Sequence, residues 1–379
     1  MKVAYLSTYR DGTDYGNAAI NQILACESAG IDVVCRPITL TSLVEQPCLV
    51  SHLEDKDLKG VDVVIQHTLP HVFEYKRGVK NIGYFKWDTT HFRRANWASC
   101  CNMMDEIWVP CDANVDAARN SGVNKPIKVI PYACDESRFS DKIEPLDIPQ
   151  LKNRFVLYSI GEMTRRQNFA GLLRAYYAAF TSRDDVILLV KTSMSGMAPD
   201  QVVGQMKEFI ANIKKSIHMY IHEDRYPPVI VLADSLSEDQ MGQLHKTCDV
   251  FVLPTKGEGW SPNMHNAMGF GNPVIASDCC GISDLFGSYL EREQSPGILI
   301  DGAMTPCFGM VESFPDLYTG DELWFEPDVE YLIDSMKFMY SRWRQDRSIL
   351  LEMSSVAGKR AMEFSRENVG QIILETLRG

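Results

Sequence analysis

Asp249-Val250-Phe251-Val252-Leu253-Pro254-Thr255-Lys256-Gly257-Glu258-Gly259-Trp260-Ser261-Pro262-Asn263-Met264-His265-Asn266-Ala267-Met268-Gly269-Phe270-Gly271-Asn272-Pro273-Val274-Ile275-Ala276-Ser277-Asp278 reads as strand, glycine-bearing loop, short helix, turn and strand. The apolar run 250–253 is the strand, closed by Pro254. Gly257 and Gly259 flank a single acid, Glu258. Ser261 followed by Pro262 makes a helix cap and first turn, because proline lacks an amide proton that would go unpaired there. A helix then runs toward Gly269 or Gly271, and 273–276 is the next buried strand. Such a unit aims a positive helix end and free amide protons at one point beyond the strand tips, where an anion can bind.

Working outward, 379 residues exceed one ordinary core and predict two domains. Hydrophobic residues at 45% and charged residues at 23% are those of an ordinary globular protein. No apolar run approaches the roughly 20 residues that cross a bilayer. Met1-Lys2-Val3-Ala4 enters a strand directly and does not read as a signal peptide. The 11 cysteines are scattered, without a CxxC pair. That pattern argues against a zinc module and predicts reduced thiols in a cytoplasmic protein. A formal net charge of -12 opposes broad binding to nucleic acid or anionic lipid.

Strand and helix alternate along the chain. Strands are expected at 1–7, 31–37, 61–66, 80–86, 105–110 and 128–131, with helices at 18–29 and 113–120. The polar loop 9–17 carries Gly12 and Gly16 but no GxGxxG, so it reads as the lip of a cleft. The polar stretch 135–151 is a linker, after which the pattern restarts. Strands are expected at 155–160, 186–191 and 229–232, and helices at 169–180, 199–217 and 237–246. Residues 297–318 read as irregular, around Gly302, Pro306, Gly309 and Pro315, and 327–344 and 348–377 read as two helices. The division is 1–150, 151–345 and a terminal helix, 346–379.

Several segments resemble one family. Trp87-Asp88-Thr89-Thr90, Asp105-Glu106-Ile107-Trp108-Val109-Pro110 and Val129-Ile130-Pro131-Tyr132 with Asp135 and Phe139 stand in its order and near its spacing. So do Gly161 to Asn168, and Glu258-Gly259-Trp260-Ser261-Pro262 with Asn266 and Gly271-Asn272-Pro273. The chain resembles the retaining glycosyltransferases of group 1 (family 4-like). The resemblance implies the GT-B fold, in which two Rossmann-like doubly wound domains face each other across a cleft. It implies an acceptor domain at 1–150, a nucleotide-sugar domain at 151–345, and a terminal helix that packs back on the first domain. Two positions depart from the family. Its second donor-motif glutamate is Asn266 here, and its phosphate loop has Glu162 after Gly161 and Arg166-Gln167 where Arg-Lys is usual.

The chemistry implied is transfer of a sugar from a nucleotide sugar to an acceptor hydroxyl with retention, without a metal or other cofactor. Fixed cations and helix-end amides stabilise a leaving diphosphate without reorganising. Arg166 and Lys191 are the candidate cations, supported by Arg165 and by the amides of 261–264. Glu258 would hold donor-sugar hydroxyls and Asn266 the ribose. Gly161, Gly257, Gly259, Trp260, Ser261, Pro262, Asn263 and Gly16 complete the donor site, with Gly12, Thr13 and Gly16 covering the phosphate. Asp88 and His67 would orient or deprotonate the acceptor, and His265 is a packing or rim residue. Two rival functions stand beside this one. Lys86, Arg93, Arg94, Arg119, Lys125 and Lys128 permit a phage-type transferase acting on a hydroxymethylated DNA base. The missing second glutamate permits a non-catalytic nucleotide-sugar binder.

Overall fold

The structure is a computed structural model that describes residues 1–40, 48–140, 142–289, 294–308 and 317–379. Its first sheet holds β1 (Lys2–Ser7), β2 (Asp32–Pro37), β3 (Val63–His67), β4 (Lys80–Tyr84), β5 (Glu106–Val109) and β6 (Ile127–Val129). Between them lie α1 (Asp14–Ser28), α2 (Trp97–Met103) and α3 (Asp112–Asn120). The strands are parallel in the order β2-β1-β3-β4-β5-β6. Val63, Val64 and Ile65 are consecutive buried residues, as a parallel sheet covered on both faces requires.

The second half repeats the scheme. It holds β7 (Phe155–Glu162), α4 (Phe169–Ala179), β8 (Val186–Ser193), α5 (Pro199–Ile217), β9 (Val229–Leu232) and α6 (Glu238–Thr247). There follow β10 (Val250–Leu253), α7 (Pro262–Gly269), β11 (Val274–Ser277), α8 (Cys280–Phe286) and β12 (Gly297–Ile300). The order is β12-β11-β10-β7-β8-β9, again parallel. In such sheets the chain winds away to both sides of one strand pair, and loops beyond that pair diverge to leave a crevice. Here those pairs are β1 with β3 and β7 with β10. Two facing doubly wound sheets of this kind are the GT-B fold.

Three expectations change. The first helix begins at Asp14, because the Thr13 hydroxyl caps it by accepting from the Gly16 amide at 3.0 Å. Gly16, expected in the loop, is therefore inside the first turn. Residues 297–318 are not irregular throughout: they contain β12 and β13 (Gly302–Pro306), and β13 pairs antiparallel with β14 (Leu323–Pro327). Gly309 and Pro315 lie outside the described residues. The hairpin was illegible because its strands are short and half-exposed and its pairing is not local.

The end of the chain is α9 (Val329–Gln345), α10 (Ser348–Met362) and α11 (Arg366–Arg378), so the helix expected at 348–377 is two. Glu363 caps the end of α10, and Ser365 caps the start of α11 by accepting from the Asn368 amide while pairing with Cys134 of the first half. The α10 helix stays against α7, and α11 crosses to lie on α1. The crossing is close enough that a β-carbon on Gly370 would stand 2.2 Å from the carbonyl oxygen of Ala25. Glycine is required there by contact.

Candidate active site

The loop after β10 and the loop after β7 are bound together. Asn168 donates to the Pro254 carbonyl at 2.9 Å, the Lys256 amide donates to the Arg166 carbonyl at 2.8 Å, and the Thr255 hydroxyl donates to that same carbonyl at 2.9 Å. Asn168 takes a left-handed conformation, φ 57°, which asparagine tolerates better than most residues, and caps α4. This frame carries Arg166 and Glu258 to one place at the crevice between β7 and β10.

There four charged side chains meet, two from each half. Lys86 Nζ lies 2.9 Å from Glu258 Oε1, and Arg166 Nη1 lies 2.7 Å from Oε2. Arg166 also donates to the Gly257 carbonyl at 2.7 Å and holds its Nε 3.4 Å from Asp88 Oδ2. Asp88 Oδ1 accepts the Gly259 amide at 2.8 Å. Gln167 Nε2 approaches Glu258 Oε2 at 3.4 Å. Burial alone would raise the Glu258 carboxyl. The charges of Arg166 and Lys86 and their hydrogen bonds more than reverse it, and its pKa falls to about 2. Burial disfavours the charged forms of Lys86 and Arg166, but Glu258 and Asp88 outweigh it and both cations are held above their usual values.

The wall from the first half is stiff. Asn114 on α3 clamps the Trp87 backbone, accepting its amide at 2.9 Å and donating to its carbonyl at 2.6 Å. Trp87 Nε1 donates to the Thr89 hydroxyl at 2.7 Å. The hairpin adds a strap: the Thr90 amide donates to the Leu323 carbonyl at 3.0 Å, the Leu323 amide donates back to Thr90 Oγ1 at 2.9 Å, and Tyr318 stacks on Trp87.

Other expected residues fall nearby in different ways. Lys191, near the end of β8, is half-exposed and among the described residues makes no hydrogen bond or ion pair. Burial lowers its pKa, against the pull of Asp234 and Asp14. Gly161, the last but one residue of β7, lies beside Gln167 and Thr192. Among the described residues, Gln167 Oε1 and Thr192 Oγ1 are buried polar atoms without a hydrogen-bond partner. Arg165 is exposed on the same loop. Asn266 is half-exposed on α7, and its amide has no partner among the described residues. Of the amides expected at the start of α7, Pro262 has none and Met264 gives its own to Ser261 Oγ at 3.2 Å, leaving those of Ser261 and Asn263. Trp260 is buried against Phe364 and His265, and Gly16 lies under the Asp11 carboxylate.

His67 is not brought to the cleft surface. It is fully buried, with Nδ1 2.9 Å from the Tyr5 hydroxyl and Nε2 2.9 Å from the Tyr132 hydroxyl, and stacked on Tyr84. Burial first, then Lys86, pushes its pKa down to about 3, so the ring is neutral with both nitrogens occupied. Set inside the first half with both nitrogens engaged, it offers no open ring nitrogen to an acceptor in this arrangement. Arg166 is corrected in part, since its guanidinium is committed to the two carboxylates. His265 packs, with Nε2 3.0 Å from the Ala361 carbonyl oxygen.

Two residues of this region were missed. Lys86 had been grouped with surface bases. Of that group, Arg94 pairs with Asp321, and Arg93 and Arg119 bind backbone carbonyls of their own half. Asp14, in the first turn of α1, is exposed within electrostatic reach of Lys86, Glu258, Arg166 and Glu162. Its position after a capping threonine was the available signal. Among the described residues no group of three or more His, Cys, Asp or Glu is placed to hold a metal ion, and no helix is long and apolar enough to cross a membrane.

A family model described as glycosyl transferases group 1 matches residues 154–304. No curated protein matches the chain in sequence. Among solved structures, it is similar to Anabaena HepE in complex with UDP-glucose, with 13% identity, TM-score 0.63, and 100% and 99% of the two chains covered. It is also similar to sucrose-phosphate synthase from Thermosynechococcus elongatus, at 12% identity and TM-score 0.66 over 100% and 98%. A third is an E. coli structure described as trehalose-6-phosphate bound with UDP-2-fluoro glucose, at 11% identity and TM-score 0.67 over 100% and 99%. Residues 154–304 thus match a glycosyltransferase domain model, and the whole chain shares the two-domain GT-B fold of these structures.

Proposed function

We propose that the protein transfers a sugar from a uridine-diphosphate sugar to an acceptor hydroxyl, with retention and without a metal ion. The observation that carries this reading is the Glu258 cluster at the crevice between β7 and β10. An ionised carboxylate has about four acceptor positions. Lys86, Arg166 and Gln167 use three, leaving room for a donor-sugar hydroxyl. Lys191 and the Asn263 amide supply positive charge for the leaving diphosphate, the Gln167 Oε1 accepts from a sugar hydroxyl, and the Thr192 hydroxyl donates to a phosphate oxygen. Arg165, Gly161, Gly257, Gly259, Ser261 and Pro262 shape the same pocket, and Asn266 meets the ribose through an amide that both donates and accepts. Asp88 orients the acceptor side.

Uridine is proposed because HepE and the E. coli neighbour are described with UDP-sugars. Retention follows in this reading from attack on the face the diphosphate leaves, with the departing phosphate taking the acceptor proton. Thermal unfolding against UDP-glucose, other nucleotide sugars and free nucleotides tests it. A rise in melting temperature with UDP-glucose and UDP is expected, unchanged by EDTA; no rise with any nucleotide sugar would overturn it.

A further inference from the structure

Glu258 reaches the cleft from the second half, but one of its two cations does not. Lys86 stands two residues beyond the end of β4, and its side chain is 18% exposed against 6% for that of Glu258. Its ammonium is fixed twice, 2.9 Å from Glu258 Oε1 and 3.3 Å from the Trp260 carbonyl oxygen. The backbone that carries it is held by the Asn114 clamp on Trp87, and Asp88 returns the contact by accepting the Gly259 amide. A β-carbon on Gly259 would stand 3.0 Å from the Lys86 β-carbon and 2.7 Å from the Trp87 carbonyl oxygen. The glycines of the donor loop thus permit Lys86 to reach Glu258.

Resting on the donor-site reading above, we propose that Lys86 is a positioning residue: it fixes the Glu258 carboxylate toward the donor sugar, so the sugar subsite is complete only when the two halves are in contact. Lys86 touches no substrate in this arrangement. It aims one carboxylate oxygen and makes no hydrogen bond to Lys191, Gln167 or Thr192, the groups given to the diphosphate side, so nucleotide binding is left unaffected. Nucleotide binding and sugar recognition therefore separate, and the sugar is recognised only in a closed cleft.

The charged and titratable groups that face Glu258 are Lys86 and Asp88 from the first wall, Arg166 from the loop after β7, Asp14 from α1, and Cys279 and Cys280 at the start of α8. Removing Lys86 leaves Arg166 as the one cation among them, so the carboxyl of Glu258 rises and takes up a proton more readily.

The test compares UDP and UDP-glucose binding by calorimetry in the wild type, Lys86→Met, Lys86→Arg, Glu258→Gln and the Lys86→Met/Glu258→Gln pair. In Lys86→Met, UDP is expected to bind within twofold of the wild type and UDP-glucose at least tenfold more weakly. The UDP-glucose loss should grow as pH falls from 7 to 5, and Lys86→Arg should restore most of it. In the Glu258→Gln background, Lys86→Met should add less than twofold. Equal loss of UDP and UDP-glucose, or an undiminished effect in that background, would overturn the proposal. If Lys86→Met fails to fold, Lys86→Arg and Lys86→Gln decide by the same ratio. A wild type that binds neither ligand refutes the donor reading; one that binds both, with the ratio unchanged in the variants, refutes only the role of Lys86.

Discussion

A β-carbon on Gly257 would stand 2.1 Å from the carbonyl oxygen of Asp88. The donor loop and the tip of the first sheet therefore touch backbone to backbone, and glycine is needed there for space. Gly257→Ala is expected to force the walls apart and lower kcat/KM at least tenfold. Thermal stability should fall by about 1–3 kcal/mol, the usual cost of overpacking. Steady-state kinetics with a calorimetric melt checks both.

Glu258→Gln keeps the shape of the side chain and removes its charge. Turnover is expected to fall about 10²- to 10³-fold, the range for a preorganised electrostatic group. Arg166→Ala should lose comparable activity and also cost about 2–4 kcal/mol, because it leaves Glu258 and Asp88 with fewer partners. Loss of activity without loss of stability in Arg166→Ala would show that the cluster is looser than described.

In the donor reading proposed above Lys191 would bind the diphosphate only when protonated, and burial has lowered its pKa. UDP affinity should therefore decline as pH rises from 7 toward 10, earlier than an ordinary lysine would allow. Lys191→Met should weaken UDP binding roughly tenfold, the loss of about 1.4 kcal/mol, and abolish that decline. Titration calorimetry at several pH values reads it directly.

Acid lability follows from the buried histidines. His67 and His245 are held near pKa 3 and His265 near 4, against 6.5 for a free side chain. Below pH 6.5 the unfolded chain takes up protons that the folded chain refuses, so stability is full above 6.5 and falls as pH drops toward 4. Asp249 opposes this, because burial raises its carboxyl to about 6 and the folded form keeps a proton the unfolded form has lost. Asp14 and Asp284, also raised by burial, act the same way lower in the range, but the three histidines, which titrate from 6.5 in the unfolded chain, dominate between pH 7.5 and 5. Urea midpoints at pH 7.5 and 5 should show it, and His67→Gln should lessen the slope while costing about 1–3 kcal/mol for the partners lost by Tyr5 and Tyr132.

Asn266→Ala removes a side-chain amide that has no partner among the described residues. Stability should stay within about 0.5 kcal/mol, as for other surface changes. KM for the nucleotide sugar should rise several-fold with kcat little changed. A loss of stability without change in KM would place Asn266 in packing.

Much of this molecule was legible in order along the chain. The α5 bounds, β9, β10, the Ser237 and Ser261 caps and the helix after Pro262 follow from apolar period, proline position and hydroxyl caps, which act within a few residues. The β13–β14 hairpin and the break at Ser365 were not, since each is stabilised by partners far away in sequence.

The site divides the same way. Sequence determined that a glycine-flanked acid, Glu258, stands at a strand tip before a capped helix, because strand, turn and cap are local preferences. Tertiary structure decided what that acid meets. Lys86 looked like one base among several until β4 brought it to Glu258, and His67 looked reactive until two tyrosines closed over its ring nitrogens. Charge and hydrogen-bonding capacity belong to a residue; whether they face a cleft or are consumed inside the fold is set by neighbours that only the packed chain supplies.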